Sequence, residues 1–203
     1  MRVKEIYVKN EPIINVEKKY AIINEYGIDY GYNNVEINYF ETSMQKLYKI
    51  NDGEWKEYTG VVRLDLGETI YAKGVDKNGD ETRVISSYTA VLPSDALGAA
   101  AYDGNEETNH YIAEGSSAKI MVDESMQGKQ IQISCEIHND RANLSYFVFQ
   151  REDGSTISQI AGINGNIIIP DETNSIVFQV QLNNQSYYNG YMRVKEIYEE
   201  EIK

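Results

Sequence analysis

Ile176-Val177-Phe178-Gln179-Val180-Gln181-Leu182 puts Ile176, Phe178, Val180 and Leu182 on one side and Val177, Gln179 and Gln181 on the other. Neighbouring side chains of a strand point to opposite faces, so a run of this period reads as a strand with one face buried. The pattern recurs along the chain. Val35, Ile37 and Tyr39 alternate with Glu36, Asn38 and Phe40, and Ile131, Ile133, Cys135 and Ile137 form a third run. Helical spacing is confined to residues 94–101, where Ser94 or Asp95 is a cap and Ala96, Ala99 and Ala100 follow as a short turn. Asn51-Asp52-Gly53, Asp76-Lys77-Asn78-Gly79-Asp80, Asp153-Gly154 and Asn189-Gly190 supply turn residues tolerant of positive φ between the strands.

Many short strands in 203 residues and 23.2 kDa suit two modest domains better than one. A strand pattern stops at Leu92-Pro93-Ser94-Asp95, the natural boundary. The expected fold class is all-β, with two consecutive β-sandwich domains at residues 10–92 and 95–198. Residues 1–9 are then the closing strand of a preceding repeat or a linker, and 199–203 a tail or linker.

That outer assignment rests on an identity. Met1-Arg2-Val3-Lys4-Glu5-Ile6-Tyr7 recurs unchanged as Met192-Arg193-Val194-Lys195-Glu196-Ile197-Tyr198, a period of 191 residues. Such a chain reads as a window onto a tandem array, the alternative being a local duplication.

A formal charge of −13 and a pI near 4.6 argue against nucleic acid, whose phosphates need clustered Lys and Arg. No stretch reaches the ~18 apolar residues of a membrane span. Residues 1–10 carry Arg2, Lys4, Glu5 and Lys9 and no apolar core, so an export signal is expected outside this chain. Cys135 is the only cysteine, which excludes an internal disulfide and a cysteine-based zinc cluster; its alternating run makes it a buried small hydrophobe. No Gly-x-Ser-x-Gly elbow, P-loop or His-Glu-x-x-His occurs, and no motif singles out a pair of carboxylates, so no enzyme is expected.

Tyr48-Lys49-Ile50-Asn51-Asp52-Gly53-Glu54-Trp55-Lys56-Glu57-Tyr58-Thr59-Gly60, followed by Thr69-Ile70-Tyr71-Ala72-Lys73-Gly74-Val75-Asp76-Lys77-Asn78-Gly79-Asp80-Glu81, resembles the Ig-like sandwiches of bacterial surface proteins and of regions beside glycan-degrading catalytic domains. The resemblance implies a spacer or interaction module, with Trp55 as a packing anchor rather than a sugar platform. Ala101-Tyr102-Asp103-Gly104-Asn105-Glu106-Glu107-Thr108, Phe147-Val148-Phe149-Gln150-Arg151-Glu152-Asp153-Gly154 and Val194-Lys195-Glu196-Ile197-Tyr198 resemble the galactose-binding-like or discoidin sandwich of many carbohydrate-binding modules. That family usually has Trp just after the Thr; this chain has Asn109-His110-Tyr111.

The second resemblance implies a structural Ca²⁺ held by Asp103, Asn105 and Thr108 and closed by Glu196, hard oxygens of the kind Ca²⁺ takes. The alternative is a plain turn with a solvated Glu196. Asp76 to Asp80 reads as a hairpin turn, because Gly79 falls too early for an EF-hand and no Glu closes the loop. His110 and His138 lack metal-ligand spacing. Glycan-binding candidates are Tyr111, then Asn139 and Arg141 of one loop, and Tyr187 and Tyr188 of another: flat rings to stack on sugars, and polar groups to read hydroxyls. The alternative is that these loops pack on a neighbouring module.

The functional expectation is a non-catalytic structural and adhesive repeat unit of a long extracellular bacterial surface protein or filament. Its partners are neighbouring repeat units and surface glycan. The alternatives are an accessory carbohydrate-binding region of a secreted glycoside hydrolase and a phage fibre or decoration protein.

Overall fold

The computed structural model describes residues 11–81, 85–138, 145–182 and 190–199. Strands dominate. They run β1 (Ile13–Lys18), β2 (Ile22–Asn24), β3 (Gly27–Asp29), β4 (Tyr32–Asn38), β5 (Gln45–Ile50), β6 (Lys56–Glu57), β7 (Val62–Asp65), β8 (Thr69–Val75) and β9 (Ser86–Thr89). Then come β10 (His110–Ala113), β11 (Ser117–Val122), β12 (Gln130–His138), β13 (Ser145–Gln150), β14 (Thr156–Ala161), β15 (Gly165–Ile168), β16 (Ser175–Val180) and β17 (Tyr191–Glu199). Among the described residues the helical elements are two 3-10 turns, Ala99–Ala101 and Glu124–Met126. None is long and apolar enough to cross a membrane. The helical spacing at 94–101 therefore shrinks to Ala99–Ala101, whose N-cap position is held by Gly98 without a side-chain cap.

The chain forms two compact units, one containing Gly31–Leu92 with the residues up to Lys19, the other Tyr20–Tyr30 with the residues from Pro93 onward. In the first, a three-stranded sheet ordered β1-β4-β7 and a four-stranded sheet ordered β6-β5-β8-β9 share one core of Val35, Ile37, Leu64, Ile70 and Ala72. Tyrosines enlarge that core while keeping their hydroxyls bonded, as buried rings with a polar end must. The Ile37 N–H donates to Tyr58 Oη at 2.9 Å, and Tyr39 Oη donates to the Leu47 carbonyl at 2.8 Å. Asn33, fully buried, pins the end of the unit: its Oδ1 accepts from Tyr88 Oη at 2.7 Å and from Val91 N at 3.0 Å, and its Nδ2 donates to Val91 O at 3.0 Å.

In the second unit a four-stranded sheet ordered β10-β17-β12-β15 shares a core with a six-stranded sheet ordered β14-β13-β16-β11-β2-β3. Ile176, Phe178 and Val180 are buried as the alternation demands, against Phe147, Phe149, Ile131, Ile133, Met192 and Val194. Leu182 is not: β16 ends at Val180, and Leu182 is 72% exposed.

Residues 20–30, read from the sequence as part of the first module, belong by their pairing to the second unit. β2 lies parallel to β11, with Ile22 opposite Met121 and Ile23 opposite Val122, and folds back on β3. Ala21 and Ile23 enter the second core. A hydrophobic run says that a strand has a buried face; it does not say which sheet supplies the cover.

Candidate functional site

Two places in the second unit gather polar and aromatic side chains. At the first, Asn105 N donates to Asp103 Oδ1 at 3.0 Å and Glu107 N donates to Asn105 Oδ1 at 3.0 Å, while Gly104 takes φ +78°. The loop therefore curls tightly around its own oxygens. Thr108 Oγ1 lies 2.9 Å from each Asp103 carboxylate oxygen, 2.8 Å from Asn105 O and 3.3 Å from Ala100 O. A hydroxyl carries a single hydrogen, which cannot serve four oxygens. With Asp103 Oδ1 accepting from Asn105 N and Asn105 O accepting from Thr108 N at 3.0 Å, what remains is a convergence of oxygen atoms on the Thr108 hydroxyl.

Glu196 reaches this loop from β17 and is 3% exposed. Its Oε2 accepts from Gly104 N at 2.8 Å, and its Oε1 from Ile197 N at 3.3 Å. Burial pushes its carboxyl above the ordinary range, the backbone N–H groups oppose this, and the like charge of Asp103 adds to it. Glu196 is thus a buried acid, and the charge beside it has its own sign. A bulge makes the burial feasible. Glu196 faces Ser134 and Val194 faces Cys135, so Lys195 is the extra residue on β17 and both Glu196 and Ile197 turn inward.

The donor set fits a hard cation. It offers carboxylate, hydroxyl and carbonyl oxygens, the donors that such a cation takes.

The second place is the outer face of β10, β17 and β12. Tyr111, 52% exposed, stands opposite Arg193; Tyr191 stands opposite Ala113 on one side and His138 on the other. The Tyr111 and Tyr191 rings are 5.4 Å apart, and His138 stacks on Tyr191 at 5.0 Å with 13° between planes. Tyr191 Oη donates to Glu136 Oε1 at 3.1 Å, and Arg193 Nη1 lies 3.3 Å from Glu136 Oε2 with its guanidinium 4.7 Å from the Tyr191 ring centre. The Tyr191 hydroxyl and then the Arg193 charge hold the Glu136 carboxyl below its ordinary value. The result is a row of three rings with a half-exposed ion pair beside the middle one, Tyr191.

No family model and no curated protein matches this chain. Among solved structures it is similar to a chain described as "Structural basis for the promiscuous specificity of the carbohydrate-binding modules from the beta-sandwich super family", with 10% identity over 95% of this chain and 94% of that one, at a TM-score of 0.29. A score that low does not establish a common architecture.

The structure brings Asp103, Asn105, Thr108 and Glu196 together across the length of the second unit. Asn139, Arg141, Tyr187 and Tyr188 lie outside the described residues. Tyr111 sits in a ring cluster with Tyr191, His138, Arg193 and Glu136, which nothing in the sequence alone groups with it. Their signal is the outward half of the alternation, Tyr191-x-Arg193 and Glu136-x-His138, which means nothing until β12 and β17 are set side by side.

Trp55 stands outside the first unit's core. Its ring lies 4.4 Å from Lys73 Nζ and 5.6 Å from Lys49 Nζ, making it a cover over two cations rather than a packing anchor. Asp76 forms the expected turn, its Oδ1 accepting from Asn78 N at 2.8 Å and Asp80 N at 2.9 Å. His110 Nδ1 accepts from Gly98 N at 3.1 Å in a half-buried site that lowers its pKa.

Proposed function

We propose that this chain is a non-catalytic, glycan-holding segment of an extracellular surface protein built from repeats. The first unit is an Ig-like spacer: its three-stranded and four-stranded antiparallel sheets, with β5 and β8 adjacent in one and β4 and β7 in the other, follow that arrangement. The second is a galactose-binding-like sandwich that takes sugar on the outer face of its four-stranded sheet. The row Tyr111, Tyr191 and His138 carries this reading. Sugar rings present flat C–H faces that stack on aromatic rings, while their hydroxyls pair with a fixed carboxylate and guanidinium such as Glu136 and Arg193. Each such site is weak, and repeats on one polymer gain avidity.

Ca²⁺ is structural in this reading. Asp103, Thr108, the Ala100 and Asn105 carbonyls and Glu196 would hold it, and its charge would offset two neighbouring carboxylates and fasten β17 to the loop.

A glycan array probed in calcium, followed by calorimetry on the ligands it returns, tests the proposal. Tyr191→Ala and Arg193→Met should each weaken binding about tenfold or more, the equivalent of ~1.4 kcal/mol. Tyr26→Ala, at a residue 90% exposed in the β2–β3 turn, should leave it unchanged. An array silent in calcium removes glycan from the account.

A further inference from the structure

The strand β17 is an inner strand of its sheet, paired with β10 on one side and β12 on the other, and its surroundings read side chains along its length from Met192 to Tyr198. Met192, Val194 and Ile197 are buried in the core. Arg193 meets Glu136 at 3.3 Å, Glu196 accepts from Gly104 N at 2.8 Å, and Tyr198 Oη donates to Glu106 at 2.6 Å. Lys195 is the bulge residue that lets Glu196 and Ile197 turn inward together. Generic strand pairing needs only the alternation of apolar positions. Residues 1–7 repeat all seven, including the bulge lysine, the buried acid and the tyrosine.

One chain thus carries the same strand sequence twice, and its second unit has one place for it, already filled by β17. We infer that residues 1–7 are a closing strand for the second unit of another copy of this chain, seated there between β10 and β12 with Glu5 at the oxygen-rich loop in the place of Glu196. This goes beyond the glycan reading and does not rest on it. Because the two strands are identical over seven residues, the contacts of Met192 to Tyr198 that are broken when β17 leaves are re-formed in place by residues 1–7 of the other copy, and only those of the flanking Tyr191 and Glu199 are lost, the condition under which swapping between copies is cheap. Exchange requires β17 to leave two neighbours at once, so it is slow in the folded protein and fast during refolding.

The register supplies a test. Val194 faces Cys135, and opposed residues of an antiparallel pair, about 4.5–5.5 Å apart at Cα, fall in the range a disulfide spans. The full chain with Val3→Cys, refolded from denaturant in a glutathione redox buffer, should join the introduced thiol of one chain to Cys135 of another, with a yield that rises with protein concentration. Lys4→Cys, at the position of the bulge, should not. Native mass spectrometry of the unsubstituted chain after the same refolding should show dimers and higher oligomers, lost in Val3→Asp/Ile6→Asp because a charge cannot enter the core. The inference is overturned if the introduced thiol bonds to Cys135 of its own chain, if the introduced thiols bond only to each other, if Lys4→Cys links equally well, or if oligomers survive Val3→Asp/Ile6→Asp. A chain that stays monomeric at all refolding concentrations overturns it as well. Loss of glycan binding touches none of these readouts.

Discussion

The Tyr20 hydroxyl donates to the Asp95 carboxylate at 2.6 Å, joining residues 75 positions apart in the chain. Lys119 completes the group, its Nζ 3.5 Å from Asp95 Oδ2 and 4.5 Å from the Tyr20 ring centre. Beside it Met121 N donates to Ala21 O at 3.0 Å, so the trio sits where the inserted segment joins β11. The Tyr20 hydrogen bond, and after it the Lys119 charge, hold the Asp95 carboxyl below its ordinary value against a desolvation that raises it.

A depressed carboxyl contributes stability that is present above the unfolded value, about 4, and is lost as pH falls through the folded value. Asp95→Asn should therefore be less stable than the unsubstituted chain at neutral pH and converge with it in acid. The Asp95 side chain is 54% exposed, so the gap is at most about 1 kcal/mol. Thermal melts from about pH 3 to 7 check this. Parallel curves across that range would show that the trio contributes nothing.

Ile23 is fully buried in the second unit's core, and its carbonyl accepts from Asp123 N at 2.8 Å. Ile23→Ala leaves a cavity in a packed interior and should cost roughly 2–5 kcal/mol. The loss falls on the second unit although the residue lies early in the chain. Hydrogen exchange should show faster amides in β11 and β16 and unchanged protection in β4 and β8. The only tryptophan, Trp55, belongs to the first unit, and its fluorescence transition should stay where it was. A shift confined to the Trp55 transition would contradict the insertion.

The oxygen cluster at Thr108 predicts a calcium response. A cation bound only by the folded state stabilises it by about 2.7 kcal/mol at a free concentration of 100 times Kd. Calcium should raise the second unit's melting temperature and a chelator should reverse the rise. Thr108→Val and Glu196→Gln should each abolish the response. Without calcium, Glu196→Gln should change stability little, because it removes a buried charge that faces another of the same sign but leaves one acceptor oxygen for the Gly104 and Ile197 N–H groups. Melting curves indifferent to calcium and chelator would eliminate the cation.

Much of this was readable in the chain itself, and the failures have one main cause. Ile176, Phe178 and Val180 announce a strand through period two, and the loop of Asp103, Asn105 and Thr108 lies against Glu196 of β17, the two segments that the resemblance links. Periodicity is local. It cannot tell that Ile22 and Ile23 are covered by β11 rather than by their own sequence neighbours, since that depends on which sheet edge is open. The same limit hid Glu136 and His138, which become parts of a surface only beside Arg193 and Tyr191. Trp55 misled for another reason: a large ring is as useful over lysine stems as in a core, and composition does not choose between them.

Lys73 gives the last prediction. Its side chain is 10% exposed, its Nζ is 2.5 Å from Glu81 Oε1, and the Trp55 ring lies 4.4 Å over it. Breaking such a pair from one side leaves a poorly solvated charge, whereas replacing the charge by an apolar chain of similar length removes the desolvation cost with it. Glu81→Gln should destabilise the first unit by about 1 kcal/mol, held to that size because Glu81 is itself 58% exposed. Lys73→Met should be neutral or stabilising, with Trp55 packed on the methionine instead. Urea titrations followed by Trp55 fluorescence and by circular dichroism give both midpoints. A Lys73→Met loss larger than that of Glu81→Gln would mean that the ammonium itself holds the sheet, through Trp55, and that the ring is a ligand for the cation before it is a cover.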